Sequence, residues 1–181
     1  ARLLSEAEER ECGTPFGEGV SSHPRRAHVI GITGSTAIGK STLIDKMLAE
    51  IRVAGRTVAV LAVDPSEDSS GGAVLGDVIR MRDNYADPGV FLRSFSSRGA
   101  EGALTAVCKE AIDITSRYAD VVIVETMGAR QTDRELADYV DTFIAIPDTR
   151  ADAINLLKAG HHRHAHLLVV NEQKGTDEGG R

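Results

Sequence analysis

Gly34-Ser35-Thr36-Ala37-Ile38-Gly39-Lys40-Ser41 is the stretch from which the rest of the chain is read. It fits G-x-x-x-x-G-K-S/T, the phosphate-binding loop, or P-loop. The apolar run His28–Thr33 precedes it and a helix-forming run from Lys40 follows, which is the strand–loop–helix setting the motif requires. Each residue type has a physical reason. Successive backbone N–H groups must curl around a phosphate, and Gly34 and Gly39 let the main chain approach closely. The helix N-terminus adds partial positive charge. Lys40 supplies a point charge to the outer phosphates, and the Ser41 hydroxyl is a ligand type for Mg²⁺. Ser35, Thr36, Ala37, Ile38 and Thr42 complete the expected nucleotide-contacting set. Ala37 stands where many such loops carry glycine, and a positive φ there costs a non-glycine residue roughly 1 kcal/mol.

Outward from the loop, short apolar runs recur: Val58–Val63, Val90–Phe95, Val121–Glu125, Thr142–Ile146 and His166–Val170. They are rich in Val, Ile and Leu without strict alternation, as expected for strands buried on both faces. Helical patterns lie between them at Lys40–Ala54, Val74–Met81, Gly102–Tyr118, Asp133–Asp138 and Ala151–Ala159. Alternation of strand and helix predicts an α/β fold of the P-loop NTPase kind, a mostly parallel sheet with helices on both faces. Residues 1–24 read as an N-terminal helix and irregular arm, and 25–181 as the P-loop domain. The polar, Gly-rich stretch from Asn171 to Arg181 is expected to fray.

The chain has 181 residues, with 21 Lys plus Arg against 27 Asp plus Glu, a net charge of −6. Acidic balance argues against nucleic acid, which needs clustered positive charge. Aromatic residues make up 4% and Trp is absent, so base-stacking platforms are not expected either. Cys12 and Cys108 lie in dissimilar contexts, which reads as two reduced thiols. No apolar run approaches the ~20 residues that span a bilayer. These readings predict a cytoplasmic protein with no membrane partner.

A P-loop enzyme needs acidic groups at neighbouring strand ends to hold Mg²⁺ and its waters. Asp64 ends the second strand, Glu125 ends the fourth, and Asp77 lies in Gly71-Gly72-Ala73-Val74-Leu75-Gly76-Asp77. Each alone fits a helix cap or a solvated surface acid equally well. Together, at the C-terminal ends of parallel strands, they stand where open α/β sheets bind ligands. Gly128 follows Glu125 by three, a spacing that lets a glycine N–H sense a γ-phosphate. Arg130, beside that glycine, reads as a surface side chain or as a transition-state cation. Arg93 and Arg98 read as surface charge. The run His161-His162-Arg163-His164-Ala165-His166 reads as a helix C-terminus rather than a metal site.

Taken together, Arg25-Arg26-Ala27-His28, Ala62-Val63-Asp64-Pro65-Ser66, Gly71-Gly72, Leu75-Gly76-Asp77, Arg80-Met81, and Val124-Glu125-Thr126 with Gly128 and Gln131 resemble one family. It is the group of GTPases associated with methylmalonyl-CoA mutase, the MeaB/ArgK/MMAA group. The resemblance covers Arg25 to Asn171. It implies a chaperone that hydrolyses GTP to GDP, uses Mg²⁺, and gates cobalamin loading of the mutase, its protein partner. It also implies that Lys40, Asp64 and Glu125 are catalytic. Ser41, Asp64, Asp77 and Glu125 would hold the metal, and Gly128 and Asn171 would touch nucleotide. The full-length family carries a C-terminal dimerisation arm, so the resemblance implies a homodimer if the full-length chain has that arm.

Four stretches depart from the family, one of them Ala129-Arg130, where the family tends to carry a small pair after Gly128. Ser35–Ile38 is poorer in Gly and Pro. The third switch reads Pro147-Asp148-Thr149-Arg150-Ala151-Asp152, in which Asp152 and the downstream Lys158 match the family. The base-reading motif Asn-Lys-x-Asp reads Asn171-Glu172-Gln173-Lys174. Its final carboxylate normally accepts from two guanine donors, and Lys174 is donor-only. Weakened guanine selectivity is therefore expected. Three functions stay open at this point: a GTPase switch, a P-loop ATPase or kinase without guanine specificity, and a nucleotide-binding scaffold without turnover.

Overall fold

The protein is represented by a computed structural model that describes residues 26–64, 87–96, 106–126, 130–148 and 164–171. Within them the order is β1 (His28–Gly34), α1 (Lys40–Val53), β2 (Val58–Asp64), β3 (Val90–Ser96), α2 (Ala106–Thr115), β4 (Val121–Thr126), α3 (Arg130–Ala137), β5 (Thr142–Ile146) and β6 (Leu167–Leu168). The six strands form one sheet in the order β3-β2-β4-β1-β5-β6. Every neighbouring pair is parallel. All six strands expected from the apolar runs are found. The helices expected at Val74–Met81 and Ala151–Ala159, and the N-terminal arm, lie outside the described residues.

Period-two alternation divides the core. Ile32, Val58, Val60, Ile123, Ile144 and Ile146 face α1, which inserts Ile44 and Leu48 among them. The spacing of four puts both on one helical face. Val29, Ala59, Leu61, Val122, Val124 and Phe143 face the other way, against Cys108, Ala111 and Ile112 of α2 and Leu136 of α3. Fully burying a side chain such as Leu48 contributes about 1.5–3 kcal/mol. Helices therefore cover both faces, as the continuous apolar strands require. Gly31 leaves room on the second face, because a Cβ there would meet Phe143 Cδ2 at 3.0 Å and Leu136 at 3.1 Å.

This topology positions the site. Chain leaving β1 passes through α1 on one face to β2, whereas chain leaving β4 passes through α3 on the other face to β5. β1 and β4 are neighbours, so their C-terminal ends border the crevice where connections diverge. Ligands bind open α/β sheets in that crevice.

Two findings differ from the sequence reading. Arg93, read as surface charge, lies inside β3 and is half-buried. β6 is two residues long rather than five, with Leu167 and Leu168 exposed at the sheet edge. His166 immediately before it contributes through its side chain, Nδ1 accepting from Phe143 N–H at 2.8 Å.

Far from the crevice, Arg52 at the end of α1 grips Asp87 in two places, Nε to Oδ2 at 2.9 Å and Nη2 to Oδ1 at 3.0 Å. Gly89 N–H also donates to Asp87. The Arg52 bond first, and the Gly89 bond second, hold the Asp87 carboxyl below its ordinary value of 3.8. A depressed folded value means that the stabilisation is complete above the ordinary range and fades as pH falls through the folded value. Asp87→Asn is expected to be less stable than the parent near neutral pH and to converge with it in acid below the carboxylate range. Urea titrations at the two pH values check this; a gap that persists in acid would assign the effect to packing.

Candidate functional site: the phosphate loop and its acidic neighbour

Gly34 ends β1, and its φ of 153° starts the loop. A Cβ at Gly34 would lie 2.6 Å from the Ile146 carbonyl of β5, so the turn out of the sheet is closed to other residues. Gly39 has φ 96° and caps α1, and a Cβ there would fall on Asn171 Nδ2. Ala37 has φ 61°, the only positive φ at a non-glycine residue among those described. The strain expected from the sequence is therefore present, on the order of 1–2 kcal/mol.

Lys40 is 7% exposed. Its ammonium donates to Gly34 O at 2.8 Å and Ser35 O at 2.9 Å. These bonds draw the two ends of the loop together and hold the charge at its mouth. Ser35, Thr36 and Ala37 are exposed, Ser41 is half-buried in the first turn of α1, and Thr42 is exposed. Ile38 behaves differently from its neighbours. Its side chain is 3% exposed and packs in the α1 core with Ile32, Ile44 and Ile146, so it anchors the loop, leaving backbone groups for a ligand.

Glu125 is 6% exposed near the end of β4. Its register partners are Ile32 of β1 and Ala62 of β2. Alternation puts it on the face of Val121 and Ile123, the face that carries α1 and the loop. Asp64 is the last residue of β2, two positions past Ala62. The structure thus brings Lys40, Ser41, Asp64 and Glu125 to one end of the sheet, on the neighbouring strands β2 and β4 and on the helix that follows β1. Asp77 and Gly128 lie outside the described residues, as do Glu172–Lys174 of the base motif and His161.

Asn171 holds a position that sequence reading assigned to the nucleotide base. Its amide Nδ2 donates to Ile38 O at 2.8 Å, which ties the segment after β6 to the loop. That contact spans 133 positions of chain, and no local pattern announces it.

Oxygen donors of this kind suit Mg²⁺, which takes one or two carboxylates plus substrate phosphates rather than an all-protein cage. Among the described residues no group of three or more His, Cys, Asp or Glu gathers around a metal position. A cavity of about 310 Å³ lies at the opposite end of the strands, among Val58, Val90, Phe91, Ile114 and Tyr118. It holds no charged side chain, so it does not compete with the loop as a reaction centre. Among the described residues no helix is long and apolar enough to cross a membrane.

The family model described as methylmalonyl-CoA mutase-associated GTPase MeaB matches residues 4–180. This chain belongs to the MeaB family. A protein of Pyrococcus horikoshii named as a candidate GTPase is 43% identical over 156 residues, 83% of this chain and 49% of that protein. The mitochondrial methylmalonic aciduria type A homolog of Caenorhabditis elegans is 33% identical over 149 residues, 81% of this chain and 37% of that protein. Among solved structures, the LAO/AO transport system kinase matches with TM-score 0.58 and 28% identity, over 84% of this chain and 43% of that one. The signal recognition particle receptor FtsY of Elizabethkingia anophelis, in complex with GDP, shares the fold with TM-score 0.54 at 19% identity, over 96% of this chain and 57% of that one. This MeaB-family chain spans about half the length of the curated relatives it matches, and its P-loop fold is the one the motif predicted.

Proposed function

We propose that this chain is the nucleotide-binding part of a Mg²⁺-dependent GTPase that acts as a chaperone and switch for a cobalamin-dependent methylmalonyl-CoA mutase. The observation that carries the reading is the Lys40 ammonium at the loop mouth with Glu125 buried on the adjacent strand, on the same sheet face. Loop N–H groups and Lys40 would cradle the phosphates. Ser41, Asp64, Asp77 and Glu125 would hold Mg²⁺, which when bound neutralises charge on the β- and γ-phosphate oxygens. Glu125 would orient the attacking water, and Gly128 would sense the γ-phosphate. Residues 25–181 form the P-loop unit in this reading, with 1–24 as an arm, a cytoplasmic setting, and dimerisation through chain found in longer relatives.

The test is GTP turnover by the purified protein with and without Mg²⁺, joined to a pull-down of methylmalonyl-CoA mutase in each nucleotide state. Turnover with state-dependent capture is the expected result. Binding without turnover would favour a scaffold.

One feature favours a second reading, an ATPase or kinase without guanine specificity: Lys174 stands where a carboxylate reads guanine. Hydrogen bonds to a charged group contribute about 1.5–3 kcal/mol each, so losing them costs orders of magnitude in selectivity. GDP and ADP titrated against the same preparation with Mg²⁺ are expected to differ less than about 100-fold, roughly 2.7 kcal/mol. A larger GDP preference would show that another group accepts from the base.

A further inference from the structure

We infer that His166 is a pH-sensitive latch: its neutral imidazole fastens the edge strand β6 to β5, and acid that protonates the ring releases it. The inference stands apart from the nucleotide reading of the loop and needs no ligand.

One residue meets both main-chain groups that Phe143 turns toward β6. His166 N–H donates to Phe143 O at 2.8 Å, and Phe143 N–H donates to His166 Nδ1 at 2.8 Å. A backbone N–H can only donate, so Nδ1 offers its lone pair and the proton of the neutral ring lies on Nε2. The imidazolium carries a proton on both nitrogens and has no acceptor. Protonation therefore sets a donor against the Phe143 donor, and Phe143 is fully buried, where an N–H needs a partner. His166 itself is exposed, so the ring takes its proton from solvent.

β6 has little else to hold it. It is two residues long, with Leu167 beside Ile144 and Leu168 beside Ala145, and Val169 N–H donates to Ala145 O at 3.0 Å. Leu167 and Leu168 are exposed, so apolar burial contributes little to the attachment. One lost hydrogen bond is a large share of what remains. The sign follows from the tautomer: docking requires the unprotonated ring, so release takes up a proton. The latch is closed at the alkaline end of the histidine range, and it opens as pH falls through that range.

Among the described residues, the ionisable groups on the elements beside it are these. Asp141, just before β5, accepts from Val29 N–H at 2.8 Å. His28 of β1 meets Thr142 Oγ1 at 2.9 Å through Nε2, one residue from Phe143. Arg134, Glu135 and Asp138 belong to α3 and the turn after it, which pack on Phe143 through Leu136, and Tyr139 bonds Asp113 at 2.9 Å. His164 stands two residues before His166. His28 and His164 share the imidazole chemistry, so the test separates them from His166.

Amide hydrogen exchange followed by NMR on the full chain, corrected for the intrinsic pH dependence of exchange, reads the latch. Protection of the Phe143 and Val169 amides is expected to fall about tenfold between about pH 8 and about pH 5, while Ile123 in the central strand β4 holds. The midpoint should coincide with the titration of the His166 ring nitrogens, Nε2 carrying the proton at the alkaline end. His166→Asn offers an amide oxygen that accepts but does not titrate, and it should stay protected throughout. His166→Ala should be unprotected throughout, and His28→Gln and His164→Gln should keep the step. A step that persists in His166→Asn, or that vanishes in His28→Gln or His164→Gln, would overturn the inference. So would constant protection in the unmodified chain, or a ring that carries its proton on Nδ1 at the alkaline end. If the His166 variants fail to fold, the ring signals of the unmodified chain decide: coincident midpoints support the latch and separate midpoints overturn it.

Discussion

Lys40→Ala is expected to lower Mg²⁺-nucleotide affinity by at least about 100-fold and to abolish measurable turnover, with the fold retained. Two consequences of the geometry give the size. Lys40 is the cation that the loop holds at its mouth, on the carbonyls of Gly34 and Ser35. Charge-assisted hydrogen bonds contribute about 1.5–3 kcal/mol each, so on the proposed reading, in which the ammonium also meets phosphate oxygens, losing two such contacts would remove two or more orders of magnitude. The fold should survive because the loop carbonyls that the side chain binds can be met by water. Ser35 is exposed and water can take the place of the ammonium there, while Ile44 and Leu48 keep α1 docked. Lys40→Arg should not rescue, because the planar, wider guanidinium does not replace a compact ammonium between two carbonyls. Equilibrium binding of GDP with Mg²⁺, circular dichroism and turnover check the three parts. Undiminished turnover, in protein free of contaminating phosphatase, would remove the loop from the chemistry.

What the sequence made legible follows from which interactions are local. Strands β1 to β5 could be read because sheet burial on both faces selects continuous Val, Ile and Leu, and that selection leaves a run of residues. β6 was overestimated for the same reason: Leu167, Leu168 and Val170 have strand composition, yet they lie exposed at an edge where pairing is one-sided. The loop was legible down to the backbone, including the φ of Ala37, because the motif specifies a conformation. Glu125 was legible as a strand-end acid. Its burial and its registration with Ile32 and Ala62 depend on strand order, which neighbouring residues do not encode. Ile38 could not be separated from the phosphate-contacting residues around it, because only α1 folded over the sheet turns an apolar loop residue into an anchor. Asn171 shows the limit most directly. Its pattern resembles the start of a base-reading motif, whereas its amide bond to Ile38 arises from the approach of β6 to the loop.

Glu125→Gln is expected to lower kcat by about 100-fold or more while GDP affinity changes less than about fivefold. A positioned group that orients or deprotonates a nucleophile contributes typically 10²–10⁴-fold. Gln keeps the shape and removes the charge, so it still fills the space between Ile32 of β1 and Ala62 of β2. It can no longer offer two acceptor oxygens to a water or a metal-bound water. On the proposed reading phosphate affinity resides in the loop N–H groups and Lys40, at the junction of β1 and α1, rather than in β4, so binding should persist. The division between kcat and affinity carries the test. A fall in affinity with kcat unchanged would make Glu125 a binding residue. A fall in both, with an unfolding midpoint lowered alongside, would make it a structural carboxylate of the crevice. Loss of kcat alone, at unchanged midpoint, assigns it to the step in which water attacks, and the effect should appear equally in single-turnover rates, where product release has no part.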